Sequence, residues 1–340
     1  MSSAYNHQNI ELSLVVPMYN EQETISIFFE RVVPILKRIT SHYEIVCIND
    51  GSCDRTLEIL RAANTINPCI KIIDLSRNFG KELALTAGID YASGQAVIPI
   101  DCDLQDPPAL IEEMVAKWRE GYDMVLAVCT DRSSDSVLKR LTAQLFYKLM
   151  SRTSDVSIPP NVGDFRLMDR RVVVALANLP ERTRFMKGIF AWVGFRQARV
   201  FYKRAPRVAG KTKWRFWSLW NLALEGIISF TTLPLKVWSY IGFTCSLFAM
   251  VCLVIIIGRT LLYGIDVPGY ASLLSVTLFF NGLIMIGIGI LGEYIARVFI
   301  EVKRRPLYLA REVIGFASDS TEGGADLSMH DTPSTMPAID

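Results

Sequence analysis

Two apolar runs near the C-terminus constrain this chain more than any other feature. Residues 237–262 carry only Arg259 as a charge, and residues 270–292 carry none. Each run reaches the about 20 helical residues needed to cross the ~30 Å hydrocarbon core of a bilayer. The loop between them, 263–269, is short and holds Asp266 as its one charge. Basic residues gather at the outer ends instead: Lys211, Lys213, Arg215 and Lys236 before, Arg297, Lys303, Arg304 and Arg305 after. The positive-inside bias then predicts a transmembrane hairpin in the inner membrane, multi-pass, with both termini on the cytoplasmic side. Buried helices of a soluble core are the alternative, and runs of this length argue against them. Composition agrees: 51% of the 340 residues are hydrophobic and mean hydropathy is +0.28.

Upstream, strand and helix signals alternate, which predicts a parallel sheet with crossover helices. Residues 12–17 (LSLVVP) form a short apolar run of the kind a buried parallel strand shows. Further strands are expected at 44–48, 70–75, 96–100 and 124–129, with helices at 23–39, 56–64 and 81–92. Pro107-Pro108 opens another helix, because proline suits the first helical turn.

Residues 214–235 alternate aromatic and polar side chains, as amphipathic helices in a membrane interface do. Residues 317–340 hold five acids and no lysine or arginine, and are expected to be disordered. The N-terminus, MSSAYNHQNIE, lacks the basic-then-apolar pattern of a signal peptide. The resulting division is an arm at 1–10, an α/β domain at 11–212 and interfacial helices at 213–235. After it come the hairpin at 236–300, a juxtamembrane basic segment at 301–316 and a tail at 317–340.

A net charge of +2 is too small to argue for a nucleic-acid partner, and none is expected. Its distribution is more informative, with seven basic residues and no acid between Arg199 and Arg215. The seven cysteines form no CxxC and no metal-ligand spacing with the three histidines, so reduced thiols are expected.

The sharpest candidate site is Asp101-Cys102-Asp103-Leu104-Gln105-Asp106, at the end of an expected strand. Two carboxylates there sit at the C-terminal edge of an open α/β sheet, where ligands bind. Hard oxygen donors of this kind suit Mg2+ or Mn2+ bridging to substrate phosphates. A solvated acidic turn is the plainer reading of the same residues. The second candidate is Asn49-Asp50-Gly51-Ser52, where an acid commonly meets the nucleoside of a nucleotide, although such a string is also ordinary turn chemistry. Neither a GxGxxG nor a Walker loop occurs within residues 11–212, so a metal would carry more of any diphosphate charge.

Together, VVPMYNE (15–21), IVCINDGSCDRT (45–56), LSRNFGKELALTAGIDYASG (75–94) and PIDCDLQDPP (99–108) resemble family 2 glycosyltransferases of the GT-A, Rossmann-like fold. The closest subgroup is the polyprenyl-phosphate glycosyltransferases, which include dolichol-phosphate mannose synthase. NVGDFRLMDRR (161–171), ERTRFMKGIFAWVGF (181–195) and LGEYIARVFIEVKRRP (291–306) look like bacterial bactoprenol glucosyltransferases. The likeness runs over about residues 10–310 in unbroken order.

The resemblance implies specific roles. Pro17, Tyr19, Glu21 and Asp50 would hold the uridine; Asp101, Asp103 and Gln105 would form the metal and diphosphate site. Asp164 would lie beside the anomeric centre, with Arg166 next to it. Arg132, Lys139, Arg140 and Arg166 would meet acceptor phosphate, and Arg207, Lys211 and Lys213 would close over the diphosphate. The last three also suit a polybasic strip drawn to anionic lipid, and Arg132, Lys139 and Arg140 also suit a solvated helix face. Lys81 reads more readily as a surface lysine than as a phosphate contact. Glu293 and Arg297 have the spacing of a helical ion pair.

The implied reaction is inverting transfer of a hexose, with UDP-glucose as the expected donor, to a polyisoprenyl phosphate such as undecaprenyl phosphate, for envelope glycan modification. Galactose, an N-acetylhexosamine, mannose or a modified pentose on the same lipid are alternatives. A processive polysaccharide synthase is disfavoured because no Gln-x-x-Arg-Trp string occurs. A non-catalytic membrane subunit is disfavoured by intact Asp101, Asp103 and Asp164. Gly282, Gly287, Gly289 and Gly292 suit packing against further copies, so a homo-oligomer is also expected.

Overall fold

The computed structural model describes residues 10–131, 162–179, 181–182, 184, 186–203, 233–263 and 269–316. Its sheet is built from β1 (Leu12–Met18), β2 (Tyr43–Asn49), β3 (Ile70–Leu75), β4 (Ala96–Pro99), β5 (Met124–Asp131), β6 (Val162–Asp169), β7 (Gln197–Lys203) and β8 (Ala310–Ile314). The strand order is β7-β5-β6-β4-β1-β2-β3-β8. The central strands β4, β1, β2 and β3 are parallel. They are also buried along their whole lengths apart from Pro17, which is why each reads as mainly apolar, with Ser13, Glu44, Asn49, Lys71 and Asp74 as buried polar exceptions.

The helices are α1 (Ile25–Ile39), α2 (Thr56–Ile66), α3 (Lys81–Tyr91), α4 (Leu110–Arg119), α5 (Arg170–Ala177), α6 (Met186–Trp192), α7 (Leu233–Tyr263) and α8 (Tyr270–Val302). Each crossover α1–α3 begins within a few residues of a strand's C-terminal end, so the connecting loops collect on one edge of the sheet. Helix α3 packs closest of all. A Cβ on Gly88 would lie 2.3 Å from Val15 Cγ1 and 2.4 Å from Ile48 Cδ1, so only glycine lets this helix seat on β1 and β2.

Two features depart from the simple alternating sheet. Strand β6 inserts antiparallel between β4 and β5, which places its first residues at the same edge as the C-terminal ends of the parallel strands. The second departure is β8, which pairs antiparallel with β3 through Ile72–Ile314 and Ile73–Val313. The segment 301–316, expected as a basic juxtamembrane stretch, thus returns to the catalytic sheet and covers its edge. Arg61 pairs with Glu312 across that join, and Arg311 donates to the Ser76 carbonyl at 2.8 Å.

The apolar runs form the long helices α7 and α8, of 31 and 33 residues. Among the described residues one segment, Phe279–Val302, is long and apolar enough to cross a bilayer, with 24 residues and mean hydropathy 1.9, and none of the residues in that apolar stretch is fully buried. Val237–Cys252 is a shorter apolar stretch within α7. The Trp238 indole sits where a Cβ on Gly287 would be, 1.9 Å from its Nε1, so Gly287 serves contact between the two helices of this chain. Gly282, Gly289 and Gly292 have no neighbour in that sense. Glu293 and Arg297 lie 3.7 Å apart, as the helical spacing predicts. Of the interfacial helices expected at 213–235, residues 213–232 lie outside the described residues and 233–235 begin α7; the tail at 317–340 also lies outside them, as do Arg132, Lys139, Arg140, Arg207, Lys211 and Lys213.

Candidate active site

Strand order reverses at β1, with β4 on one side and β2 on the other, and the crevice of an open α/β sheet forms at such a point. The loops after β1, β2, β3 and β4 line it. Pro17 is the next-to-last residue of β1, and Tyr19, 36% exposed, follows at the rim. Asn20 adopts φ 53°, a left-handed turn that asparagine tolerates. Its backbone N–H donates to Ser52 Oγ, and its Oδ1 accepts from the Cys53 N–H, both at 2.9 Å. Glu21 is fixed by its N–H to Thr56 Oγ1 and by the Thr24 hydroxyl, which donates to its carboxylate, each at 2.9 Å. The first two loops are therefore knitted into one wall.

Asp50 links that wall to the loop after β3. Its two carboxylate oxygens accept the backbone N–H groups of Phe79 at 2.7 Å and Gly80 at 3.0 Å. Burial nevertheless raises its pKa, these two donors offsetting only part of that cost. Gly51 has φ 64°, and a Cβ there would lie 2.5 Å from the backbone of Arg77 and Asn78. The Asp50-Gly51 pair thus sets the position of residues 77–80, and so of Lys81 at the start of α3.

Lys81 is the residue that the linear reading undervalued. Its Nζ lies 2.7 Å from the Asp101 carboxylate and 3.0 Å from Asp164 Oδ2, joining the end of β4 to the beginning of β6. Burial disfavours the ammonium, but the Asp164 and Asp101 carboxylates outweigh it and raise its pKa. Asp164 is the mirror case: burial opposes its charge, yet Lys81, Lys187 and Arg166 hold it well below the usual carboxylate range. Asp164 Oδ1 is buried with no hydrogen-bond partner among the described residues.

Two further ionisable groups surround Asp164 that the linear reading did not single out. Glu82, beside Lys81 on α3, accepts the Met186 N–H at 3.3 Å. Burial and the nearby Asp164 push its pKa up to about 7. Lys187, on α6, acts electrostatically on both acids. The position of Lys81 after Asn78-Phe79-Gly80, on the edge that also carries Asp101, was the one signal available for it.

Arg166 lies deeper than an acceptor contact would. It is 3% exposed, its guanidinium lies 4.0 Å over the Phe190 ring, and it donates to the Gly163 carbonyl at 2.6 Å. Burial lowers its pKa to about 10. In this position it supports the charge of Asp164 from behind.

The loop after β4 is turned by Leu104, which adopts φ 56° while 3% exposed. A buried leucine in this conformation costs about 1–3 kcal/mol. The turn sets Asp103, whose Oδ1 accepts the Gln105 N–H at 3.1 Å, beside Asp101. Asp106 is taken up by the Tyr202 hydroxyl of β7. Cys102, buried between the two aspartates, has its thiol pushed up to about 12, chiefly by burial, and packs as a small apolar side chain. All seven cysteines are free thiols.

The donor set fits a hard divalent cation. Mg2+ takes one or two carboxylates and completes its shell with water and substrate phosphates, and Asp101 is already matched to a cation in the form of the Lys81 ammonium. Among the described residues no group of three or more His, Cys, Asp or Glu side chains is gathered as a closed centre. An ion held by Asp101 and Asp103 would leave positions in its shell for water and for the phosphates of a ligand.

The family model described as Glycosyl transferase family 2 matches residues 13–176, the segment that carries Asp50, Lys81, Asp101, Asp103 and Asp164. The chain is 55% identical over 306 residues to an uncharacterized glycosyltransferase of Synechocystis sp., spanning 90% of this chain and 96% of that protein. It is 50% identical over 304 residues to the prophage bactoprenol glucosyl transferase homolog of Escherichia coli, covering 89% and 99%. To the bactoprenol glucosyl transferase of Shigella phage SfII it is 51% identical over 303 residues, covering 89% and 98%.

Proposed function

The chain belongs to glycosyl transferase family 2, and from that premise we propose that it transfers glucose from UDP-glucose to a polyisoprenyl phosphate at the cytoplasmic face of a membrane. The observation that carries the reading is the meeting of Asp101 and Asp164 at one ammonium, on the edge where the Tyr19 and Asp50 loops converge. Relatives named as bactoprenol glucosyl transferases, matched over 89% of this chain, support both the sugar and the lipid. The apolar helices α7 and α8 support a membrane hairpin that holds the site near its acceptor.

The chemistry asks little of a general base. A phosphate monoester has its second ionisation near pH ~6, so its attacking oxygen is already anionic at neutrality. A divalent ion on Asp101 and Asp103 would neutralise charge developing on the departing diphosphate. The residues of the chain position the reactants: Tyr19, Glu21 and the Asp50 loop frame the nucleoside, with Gln105 beside the diphosphate. Asp164, kept ionised by Lys81, Lys187 and Arg166, orients the sugar. Arg207, Lys211 and Lys213 would close over the diphosphate, and Arg132, Lys139 and Arg140 would meet the acceptor phosphate. One in-line displacement converts an α-linked donor to a β-linked lipid product.

Membranes holding the chain and supplied with radiolabelled UDP-sugars test the donor. Label is expected in the organic extract with UDP-glucose, and lost with excess chelator or in Asp103→Ala that still folds and inserts. Equal labelling from UDP-galactose or UDP-N-acetylglucosamine would contradict the glucose assignment, and full activity in chelator would contradict the metal.

A further inference from the structure

The Lys81 ammonium occupies the place that a cation on Asp101 needs. Both Asp101 oxygens lie 2.7 Å from its Nζ, whereas Mg2+ would take a carboxylate oxygen at about 2.0–2.1 Å. A dication and this ammonium held on one carboxylate at such distances repel each other, so each weakens the other's hold on Asp101. The stem of Lys81 is flexible and its side chain 39% exposed, while its base is fixed by the Asp50-pinned loop. It can therefore leave Asp101 without rearrangement of the backbone. Its second partner, Asp164 Oδ2, lies 3.0 Å from the same Nζ.

We propose that Lys81 is a positioning residue that stands in for the divalent ion in the donor-free chain, and moves from Asp101 to the donor diphosphate when the ion binds. This rests on the metal-dependent reading of the site and adds a competition that the reading does not require. Before the donor arrives, one ammonium keeps Asp101 and Asp164, on separate strands, from repelling each other. Once the ion takes Asp101, the ammonium is released toward the arriving negative charge. The exchange couples metal binding to donor binding, since each removes what opposes the other.

The test is Mn2+ binding by the full chain in lipid nanodiscs, read from the spectroscopic signal of free Mn2+ with no nucleotide present. Lys81→Met removes the competing charge at similar volume and is expected to tighten Mn2+ by about 10-fold, the scale of one charge-assisted contact. Lys81→Arg keeps the charge and should remain close to wild type. With Mn2+ saturating, Lys81→Met should bind UDP about 10-fold more weakly. Mn2+ binding by Lys81→Met that is equal to or weaker than wild type overturns the proposal while leaving the metal reading intact. No Mn2+ binding by any of the chains overturns the metal reading, and this inference with it. Should Lys81→Met not fold, wild-type protein decides: Mn2+ should speed modification of Lys81 by a water-soluble amine reagent, measured by mass spectrometry. An unchanged rate would contradict the exchange.

Discussion

Glu82 shows how the site distributes charge among single residues. It is buried beside Asp164, and its pKa is pushed up to about 7 from an ordinary 4.5, first by burial and then by that neighbour. A carboxyl with a raised folded-state pKa leaves stability unaffected below its unfolded value. Stability then declines as pH rises from the unfolded to the folded value, because only the unfolded chain ionises freely there. Glu82→Gln should therefore match wild type in apparent Tm at about pH 4.5 and exceed it at about pH 8. An equal difference at both pH values would show that Glu82 is not titrating in that window. Asp50, Asp101 and Asp103 were legible as candidates because acids at strand ends stand out in a linear reading, whereas Asp164 came from the family resemblance alone. Lys81, Glu82 and Lys187 were not, because their meaning comes from Asp164, which the antiparallel insertion of β6 brings back from far along the chain. Burial of Arg166 under Phe190 was equally invisible, since no local pattern marks which side of β6 it takes.

At the scale of elements, the central strands were readable within one or two residues, and the reason is physical. Strands buried on both faces read as mainly apolar runs, their few buried charges such as Glu44 and Lys71 being paired, whereas β6 (VGDFRLMD) and β8 (AREVI) mix charges with apolar residues and carry no such signature. Edge strand β8 is tied down by partners elsewhere in the chain, among them Arg61, Asp74 and Ser76. Helix α3 matters most for function because it presents Lys81 and Glu82 at its first turn. Its seat on β1 and β2 at Gly88 predicts that Gly88→Ala costs about 1–3 kcal/mol through overpacking. The loss should appear as a lowered apparent Tm together with reduced kcat, as Lys81 shifts with the helix. An unchanged Tm would mean that α3 is not held where it is described. Beneath it, the Glu44–Lys71 pair lies buried, with Glu44 also accepting from Ser13 and Ser93. Burial would raise the Glu44 pKa, but the hydrogen bond from Lys71 and those from Ser13 and Ser93 lower it overall. Its contribution to stability is therefore present at neutral pH and lost as pH falls below its ordinary value of 4.5.

The whole molecule is a GT-A-like α/β domain whose chain leaves for two long apolar helices and returns to finish the same sheet with β8. That return ties the end of α8 to the catalytic edge: Glu301 accepts the Arg182 N–H at 2.8 Å, just ahead of α6 and Lys187. Because β8 and β1 share one sheet, both ends of the α7–α8 pair lie on the same side of any membrane the pair enters, and the proposed hairpin puts that side in the cytoplasm. Tags at residues 5 and 320 should be shielded from an impermeant reagent in intact cells, and a tag within 264–268 should be reached. Labelling of the residue 320 tag from outside would refute the hairpin. The central claim is that a lipid phosphate attacks the sugar directly, and acceptor chemistry tests it most directly. Purified full chain should be given UDP-glucose with either undecaprenyl phosphate or undecaprenol, and the lipid product examined by NMR. The account predicts a β-linked glucosyl phosphate from the first and no product from the second. Comparable glucosylation of the free alcohol, or an α-linked phosphate product, would contradict it.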